Sequence, residues 1–132
     1  MATEAARDAI TGFWNLISYE DRESEAHPWT QTFGTKPRGV GVYHPSGMLS
    51  MQVFADSDAG STVGFVGYIG TFRMREAHRD ADGFSGIVEH RMESASDPDL
   101  LTEDVERPFN VSSGQLVLGD GRTWRRTFER IP

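Results

Sequence analysis

The sequence contains no cysteine, which excludes disulfides, thiolate nucleophiles and cysteine-based metal sites together. It also lacks any apolar run approaching the ~20 residues that span a bilayer. Basic residues are outnumbered by acidic ones, 13 to 20, and the formal net charge of -7 argues against a surface that follows phosphates. We therefore expect neither nucleic acid nor a membrane as a partner.

The N-terminal stretch from Met1 to Gly12 has neither the basic region nor the apolar region of a secretion signal, since it carries Glu4, Arg7 and Asp8. A cytoplasmic location is the default expectation. The length of 132 residues is typical of one domain, so we predict a single domain over 1–132.

One short helix is predicted over Thr3 to Ile10, where Thr3 can cap the first turn and alanines favour the helical state. After it, stretches rich in aromatic and β-branched residues recur with a period of two between turn signals, which is typical of successive hairpins. The predicted strands are Gly12–Asp21, Arg38–His44, Gly47–Ala55, Gly64–Arg75, Phe84–Ser94, Leu101–Val111, Gln115–Leu118 and Arg122–Ile131.

Short turns connect most of these strands, so neighbours in sequence should pair antiparallel. Longer polar stretches at Arg22–Pro37, Asp56–Ser61 and Ala95–Asp99 are expected to be loops at the barrel mouths. About eight such strands can close into an all-β, up-and-down antiparallel barrel with room for side chains and one small ligand. A β-sandwich is the alternative, but few connections are long enough for its crossings.

Alternation of side chains predicts which faces point into the barrel, because the more apolar face of a strand is the better candidate for the interior. Val88, His90 and Met92 share one side of their strand, so His90 is expected inside. In the next strand Arg107 is in phase with Phe109. Arg107 would then be an inward cation.

Tyrosines mark two further candidate interior faces. Tyr68 is in phase with Phe72 and is expected inside. A hairpin around Pro45-Ser46 would set Tyr43 opposite Met48. That register would place Ser50, Gln52 and Phe54 on the same face as Tyr43. Both faces of this hairpin look buried, so the pattern does not decide between them.

The first and last strands should pair to close the barrel. Gly12-Phe13-Trp14 opens the first strand, and Arg130 lies near the end of the last. In an antiparallel pair these two ends are adjacent, so Arg130 could stack on the ring of Trp14 and plug the barrel floor.

These residues resemble a known family. Gly12-Phe13-Trp14 with an arginine in the terminal strand resembles the lipocalin signature. Four stretches are similar in order and spacing to the microbial lipocalin-like domain family: Trp14–Asp21, Gly41–Gln52, Gly67–Phe72 and Val88–His90. The resemblance covers nearly the whole chain and implies a calycin-type barrel. It also implies polar residues at Tyr43, Ser50, Gln52, Tyr68, His90 and Arg107.

The resemblance implies relatives that occur as lone domains and are often associated with secondary metabolism. Lipocalin-like barrels of that kind can act as cyclases or isomerases without a cofactor. We predict no cofactor here. We also predict no metal site, because His27, His44, His78 and His90 are too scattered for ligand spacing.

His90 is the strongest candidate for acid–base chemistry, because a neutral imidazole in a pocket can exchange a proton near pH 7. Arg107 could hold an enolate or carboxylate oxygen, and Tyr68 could donate to a carbonyl. The competing interpretations are structural: a buried histidine bonded across strands, an interior ion pair of Arg107 with Glu20 or another carboxylate, and tyrosine hydroxyls satisfied by backbone. The predicted ligand-binding residues are Tyr43, Ser50, Gln52, Phe54, Phe72, Met92, Phe109 and Glu20.

Three functions are compatible with this pattern. The first is a cofactor-independent cyclase, isomerase or dehydratase that encloses a small apolar or polycyclic substrate, with His90 as acid or base. The second is a non-catalytic small-molecule binding or carrier protein, for which a closed barrel is sufficient. The third is an interaction module, a homodimer formed through the apolar outer face of the second and third predicted strands.

Overall fold

The computed structural model describes residues 2–56, 64–101 and 105–132. One helix, α1 (Ala2–Ile10), precedes the strands. The described strands are β1 (Gly12–Asp21), β2 (Thr30–Gln31), β3 (Arg38–Tyr43), β4 (Met48–Phe54), β5 (Phe65–Arg79), β6 (Gly83–Ala95), β7 (Val105–Ser112), β8 (Gln115–Leu118) and β9 (Trp124–Ile131). A short 3₁₀ helix, Pro98–Leu101, lies between β6 and β7.

The strands form a closed antiparallel barrel in simple up-and-down order. Each strand from β3 to β9 pairs with the next, and β1 pairs with both β3 and β9, which closes the sheet. β2 is a two-residue addition at the end of β1. The predicted barrel is confirmed, and the β-sandwich alternative is wrong. Among the described residues, no helix has the length and apolar character that crossing a bilayer requires.

The predicted boundaries agree for some strands and differ for others. β1 and β8 have the predicted bounds, whereas the β5–β6 hairpin is longer than predicted. β2 was not predicted, and Leu101, predicted to begin a strand, ends the 3₁₀ helix instead. Most of the predicted loop Asp56–Ser61 and positions 102–104 of the strand predicted from Leu101 lie outside the described residues.

Helix α1 closes one end of the barrel. Its residues Ala6 and Ile10 are fully buried, and the carbonyl of Ile10 accepts a hydrogen bond from Trp14 Nε1 at 2.8 Å. The Arg130 guanidinium lies 4.3 Å from the Trp14 ring centroid and donates to the carbonyl of Thr11 at 2.9 Å. The predicted stacking of Arg130 on Trp14 is confirmed, and it ties β9 to the end of the helix.

The β3–β4 hairpin has a register one residue away from the predicted one. Tyr43 pairs with Leu49 and not with Met48, because the loop is one residue longer than the two-residue turn assumed. Gly47, at φ +96°, supplies the left-handed conformation that such a loop needs. The inward set is therefore Tyr43, Leu49, Met51 and Val53. Ser50, Gln52 and Phe54 lie on the outer face, so grouping them with Tyr43 is wrong.

Strand β1 changes faces part-way along its length. Its pairing with β9 is irregular between Leu16 and Ser18, which marks a β-bulge. Before the bulge Trp14 and Leu16 are buried; after it Tyr19 packs edge-on against the buried Phe33, with ring centroids 4.6 Å apart. The bulge thereby turns Glu20 away from the barrel interior.

Candidate functional site

His90 sits at the centre of a hydrogen-bonded group of side chains from four strands. It lies on β6, is fully buried, and is flanked by β5 and β7. Tyr43 Oη is 2.7 Å from its Nε2, and Tyr68 Oη is 2.9 Å from its Nδ1. Arg107 Nε donates to the same Nδ1 at 3.2 Å. The inward orientation predicted for His90, Arg107 and Tyr68 is confirmed.

These contacts assign the tautomer of His90. An arginine Nε–H can only donate, so Nδ1 must carry its lone pair toward Arg107. In the neutral ring the proton is then on Nε2, which donates to the Tyr43 oxygen. His90 therefore presents a basic nitrogen to the side of the barrel where Tyr68 and Arg107 lie.

Burial sets the charge states of the group. Burial lowers the pKa of His90 well below its ordinary value, and the nearby positive charge of Arg107 lowers it further. Burial likewise raises the pKa of Tyr43 well above the ordinary value, and it raises the pKa of Tyr68. For Tyr68 the charge of Arg107 opposes that rise. At neutral pH the imidazole and both phenols are uncharged.

A cavity of about 90 Å³ lies on the far side of this group from α1. Tyr68 and Arg107 border it, whereas His90 and Tyr43 lie behind them. The remaining lining side chains are mostly apolar and come from strands around the barrel and from the 3₁₀ helix: Tyr19, Met51, Val53, Val66, Leu100, Leu118, Arg126 and Phe128. A guest would thus meet an apolar wall and a small polar sector.

The other predicted ligand-binding residues do not border this cavity. Phe72 is buried and packs edge-on against Tyr43, with centroids 4.9 Å apart. Met92 and Phe109 are also buried, but they contribute to the core. Ser50, Gln52 and Phe54 are outside because of the hairpin register described above.

The expected interior ion pair between Glu20 and Arg107 is wrong. Glu20 accepts hydrogen bonds from Arg125, at 2.8 Å from Nε and 3.4 Å from Nη2. The β1 bulge is the cause, since it puts Tyr19 inside and Glu20 on the opposite face. Within the described chain, Arg107 has no carboxylate within salt-bridge distance.

Several cavity residues were not predicted. Met51 and Val53 are not among the predicted residues because the predicted hairpin register is one residue off. Tyr19 is not among them because the sequence does not indicate the β1 bulge. Arg126 and Phe128 could have been found from the sequence, because they alternate with Arg130, which had been assigned to the interior floor.

Two findings bear on what else this site could hold. Over residues 2–56, 64–101 and 105–132, no three histidine or acidic side chains are grouped closely enough to bind a metal ion. The polar side chains among the lining residues are instead tyrosines and arginines.

A family model for the lipocalin-like domain matches residues 11–127. The chain belongs to the lipocalin-like domain family. The match begins just after α1 and ends within β9, so it includes the whole histidine group and nearly all of the cavity lining. No curated protein and no solved structure matches the chain significantly. The lipocalin-like barrel is a small-molecule-binding fold, and its family members are expected to bind small hydrophobic ligands.

Proposed function

We propose that this lipocalin-like protein binds a small, mostly apolar molecule in the cavity and acts on it as a cofactor-independent acid–base catalyst. One observation carries the proposal: Tyr68 and Arg107 border the cavity and both contact the basic nitrogen of a buried, neutral His90. Perturbed titratable groups beside an apolar cavity are typical of catalytic sites.

Tyr68 is the group placed to exchange a proton with the guest. Its hydroxyl is neutral at pH 7 because burial raises its pKa, so it can donate to an oxygen or carbon of the substrate. The positive charge of Arg107 stabilises the phenolate that remains, and it can also stabilise negative charge on a substrate oxygen. The phenolate can then take a proton back from another position, which completes an isomerisation.

His90 acts through Tyr68 in this proposal. It does not border the cavity, so it is a positioning residue and not the acid or base expected from the sequence alone. Its Nδ1 lies 2.9 Å from the Tyr68 hydroxyl, and its Nε2–H is held by Tyr43. This arrangement orients the phenol, because the hydroxyl donates a hydrogen bond to Nδ1 when no guest is bound. The Nε–H of Arg107 still satisfies Nδ1 when the phenol donates to a guest instead.

The size of the cavity favours some of the expected reactions over others. One water molecule requires roughly 10–15 Å³ of such a cavity volume. The cavity of about 90 Å³ therefore suits a compound of one ring. Isomerisation or dehydration of such a compound fits better than cyclisation to a polycyclic product. A role in secondary metabolism rests on the sequence resemblance and stays a prediction.

Proton exchange tests the proposal without knowledge of the natural substrate. Small cyclic ketones and enones are incubated with the protein in deuterated water, and deuterium entry beside the carbonyl is followed by NMR. We expect exchange with the wild type and a loss of about 100-fold or more in Tyr68→Phe. Tyr19→Phe is the matched control, because Tyr19 also borders the cavity. Equal exchange in Tyr68→Phe and wild type would show the assignment to be wrong.

A binding or carrier protein without catalysis is the second candidate, and the mostly apolar lining favours it. It predicts that a small apolar compound co-purifies with the protein unaltered. Extraction into organic solvent followed by mass spectrometry would detect such a compound. Recovery of an unaltered guest, with no exchange of any tested ketone, favours this candidate.

We also propose that the protein forms a homodimer through the outer face of β1, β3, β4 and β5. Strand pairing places Phe13, Val42, Ser50 and Ile69 in one row across this face. Phe13 and Ile69 expose 57% and 47% of their surface, so three of the four side chains in this row are apolar and its two ends face outward. The cytoplasmic location stays a prediction.

A further inference from the structure

Arg107 places an unneutralised positive charge on the cavity wall. Its guanidinium is half-buried, donates from Nε to His90 at 3.2 Å, and lies 5.4 Å from the Trp124 ring centroid. Neither neighbour carries a negative charge. In the described part of the chain no carboxylate reaches it. A partly desolvated cation without a counterion is unfavourable unless a ligand supplies the opposite charge.

Arg126, the other arginine of the cavity, is already neutralised. Its Nη2 lies 3.0 Å from Asp21 Oδ1, and its Nη1 donates to the carbonyl of Glu20 at 2.8 Å. Its guanidinium also stacks on Tyr19, 3.5 Å from the ring centroid. An anion entering the cavity would therefore be attracted to Arg107.

We propose that the ligand of the cavity is a small carboxylate, of one ring or a short branched chain, whose carboxylate binds Arg107 and Tyr68. The inference rests on the proposed function and adds the chemical class of the ligand. The terminal nitrogens of Arg107 can donate to a ligand while Nε stays on His90, and the Tyr68 hydroxyl can turn from Nδ1 to donate as well. Two such donors suit a carboxylate, which only accepts. The apolar body of the ligand would pack against Met51, Val53 and Phe128.

The net charge of the protein implies that any preference for carboxylates arises from contacts within the cavity. With a formal net charge of -7, the protein does not attract anions at a distance. Binding of a carboxylate must therefore come from contacts inside the cavity. Removing the charge of Arg107 should accordingly weaken carboxylate binding, and removing the charge of an arginine outside the cavity lining should not.

Benzoate and its neutral isostere benzamide test the inference by calorimetry or NMR titration. We expect wild type to bind benzoate at least about tenfold more tightly than benzamide, because charged hydrogen bonds are the stronger ones. Arg107→Gln should weaken benzoate about tenfold or more and leave benzamide nearly unchanged. Arg122→Gln is the control, since Arg122 is exposed and does not line the cavity.

A second variant covers the case in which Arg107→Gln does not fold. Leu118→Trp keeps Arg107 but fills the cavity with the larger side chain. It should abolish benzoate binding while near-ultraviolet circular dichroism still reports a folded barrel. Unchanged benzoate binding to Leu118→Trp would place the anion elsewhere and overturn the inference.

The outcomes separate this inference from the proposed function. Equal affinity of wild type for benzoate and benzamide overturns the carboxylate class but leaves a small-molecule cavity. Absence of binding by both compounds also overturns the inference. The proton-exchange assay with neutral ketones is independent of either result and tests the proposed function by itself.

Discussion

At the scale of single residues, the main feature is a buried histidine whose charge state is set by its surroundings. His90 is enclosed by Tyr43, Tyr68 and Arg107, and none of these groups can neutralise a positive imidazole. The tyrosines stay protonated, because burial raises the pKa of each, and Arg107 repels the added charge. Folding therefore keeps His90 neutral, and this couples the stability of the protein to pH.

We expect the free energy of unfolding to fall as the pH drops below ~6.5, the ordinary pKa of histidine. The folded state has the lower His90 pKa, so the unfolded state takes up a proton first and is favoured by acid. The stabilisation is fully present above that pH, and the slope below it approaches about 1.4 kcal/mol per pH unit. Urea unfolding at several pH values measures it.

His90→Gln should remove this part of the pH dependence, because glutamine does not titrate. His78→Gln is the matched control, since it makes the same substitution at an exposed histidine of β5. An unchanged slope in His90→Gln would mean that another group causes the acid sensitivity.

At the scale of elements, two local irregularities determine which side chains face the cavity. The longer β3–β4 loop puts Met51 and Val53 inside, and the β1 bulge puts Tyr19 inside. Each adds one residue to a strand or a turn. Because side chains alternate between the two faces of a strand, one added residue moves every following side chain of that strand to the opposite face. A separate feature at this scale is the contact between β9 and the end of α1, which Arg130 makes.

Gly47→Ala should destabilise the protein by about 1–2 kcal/mol, because φ +96° is strained for a residue with a side chain. The new methyl group would meet Arg7 Nη2 at 3.5 Å, an ordinary contact, so the backbone alone is responsible. Denaturant unfolding measures the loss. Gly64→Ala is the control, since its methyl group meets open space at an unstrained backbone. Equal stability of the two variants would contradict the assignment.

Arg130→Lys should lower the free energy of unfolding by about 1 kcal/mol, because lysine cannot keep both the ring contact and the fork of hydrogen bonds. Backbone amides of α1 should then exchange hydrogen faster, since the helix end loses its bonds to Arg130 at Ala9 and Thr11. Arg122→Lys, at an exposed turn, serves for comparison. Unchanged exchange in α1 would show that packing of Ala6 and Ile10 alone holds the helix.

At the scale of the whole molecule, the closed barrel separates two chemically different faces. Inside, the apolar core surrounds the histidine group and opens into the cavity. Outside, β6 and its neighbours carry charged side chains, such as Glu89 held by Arg73 and Arg75, each at 2.7 Å. The outer face of β1, β3, β4 and β5 instead exposes several large apolar side chains, among them Phe13 and Ile69, which are the basis of the proposed dimer.

Light scattering at high protein concentration should give the mass of a dimer. Ile69→Lys should shift the mass toward that of a monomer, because it replaces an exposed apolar side chain at the β5 end of the row by a charge. Gln115→Lys adds the same charge on β8, away from this face, and should leave the dimer intact. A monodisperse wild-type monomer would rule the dimer out.

The sequence by itself determined the strand order, the closure of Trp14 against Arg130, and the inward orientation of His90, Tyr68 and Arg107. These features follow from period-two alternation and turn chemistry, which act over a few residues. Only the tertiary structure decided which face of β4 lines the interior, that Tyr19 and not Glu20 points inward, and that His90 lies behind Tyr68. The reason is that the face on which a side chain lies depends on whether the number of residues before it in the strand is odd or even. One extra residue in a loop or bulge reverses that face without a clear signal in the local sequence.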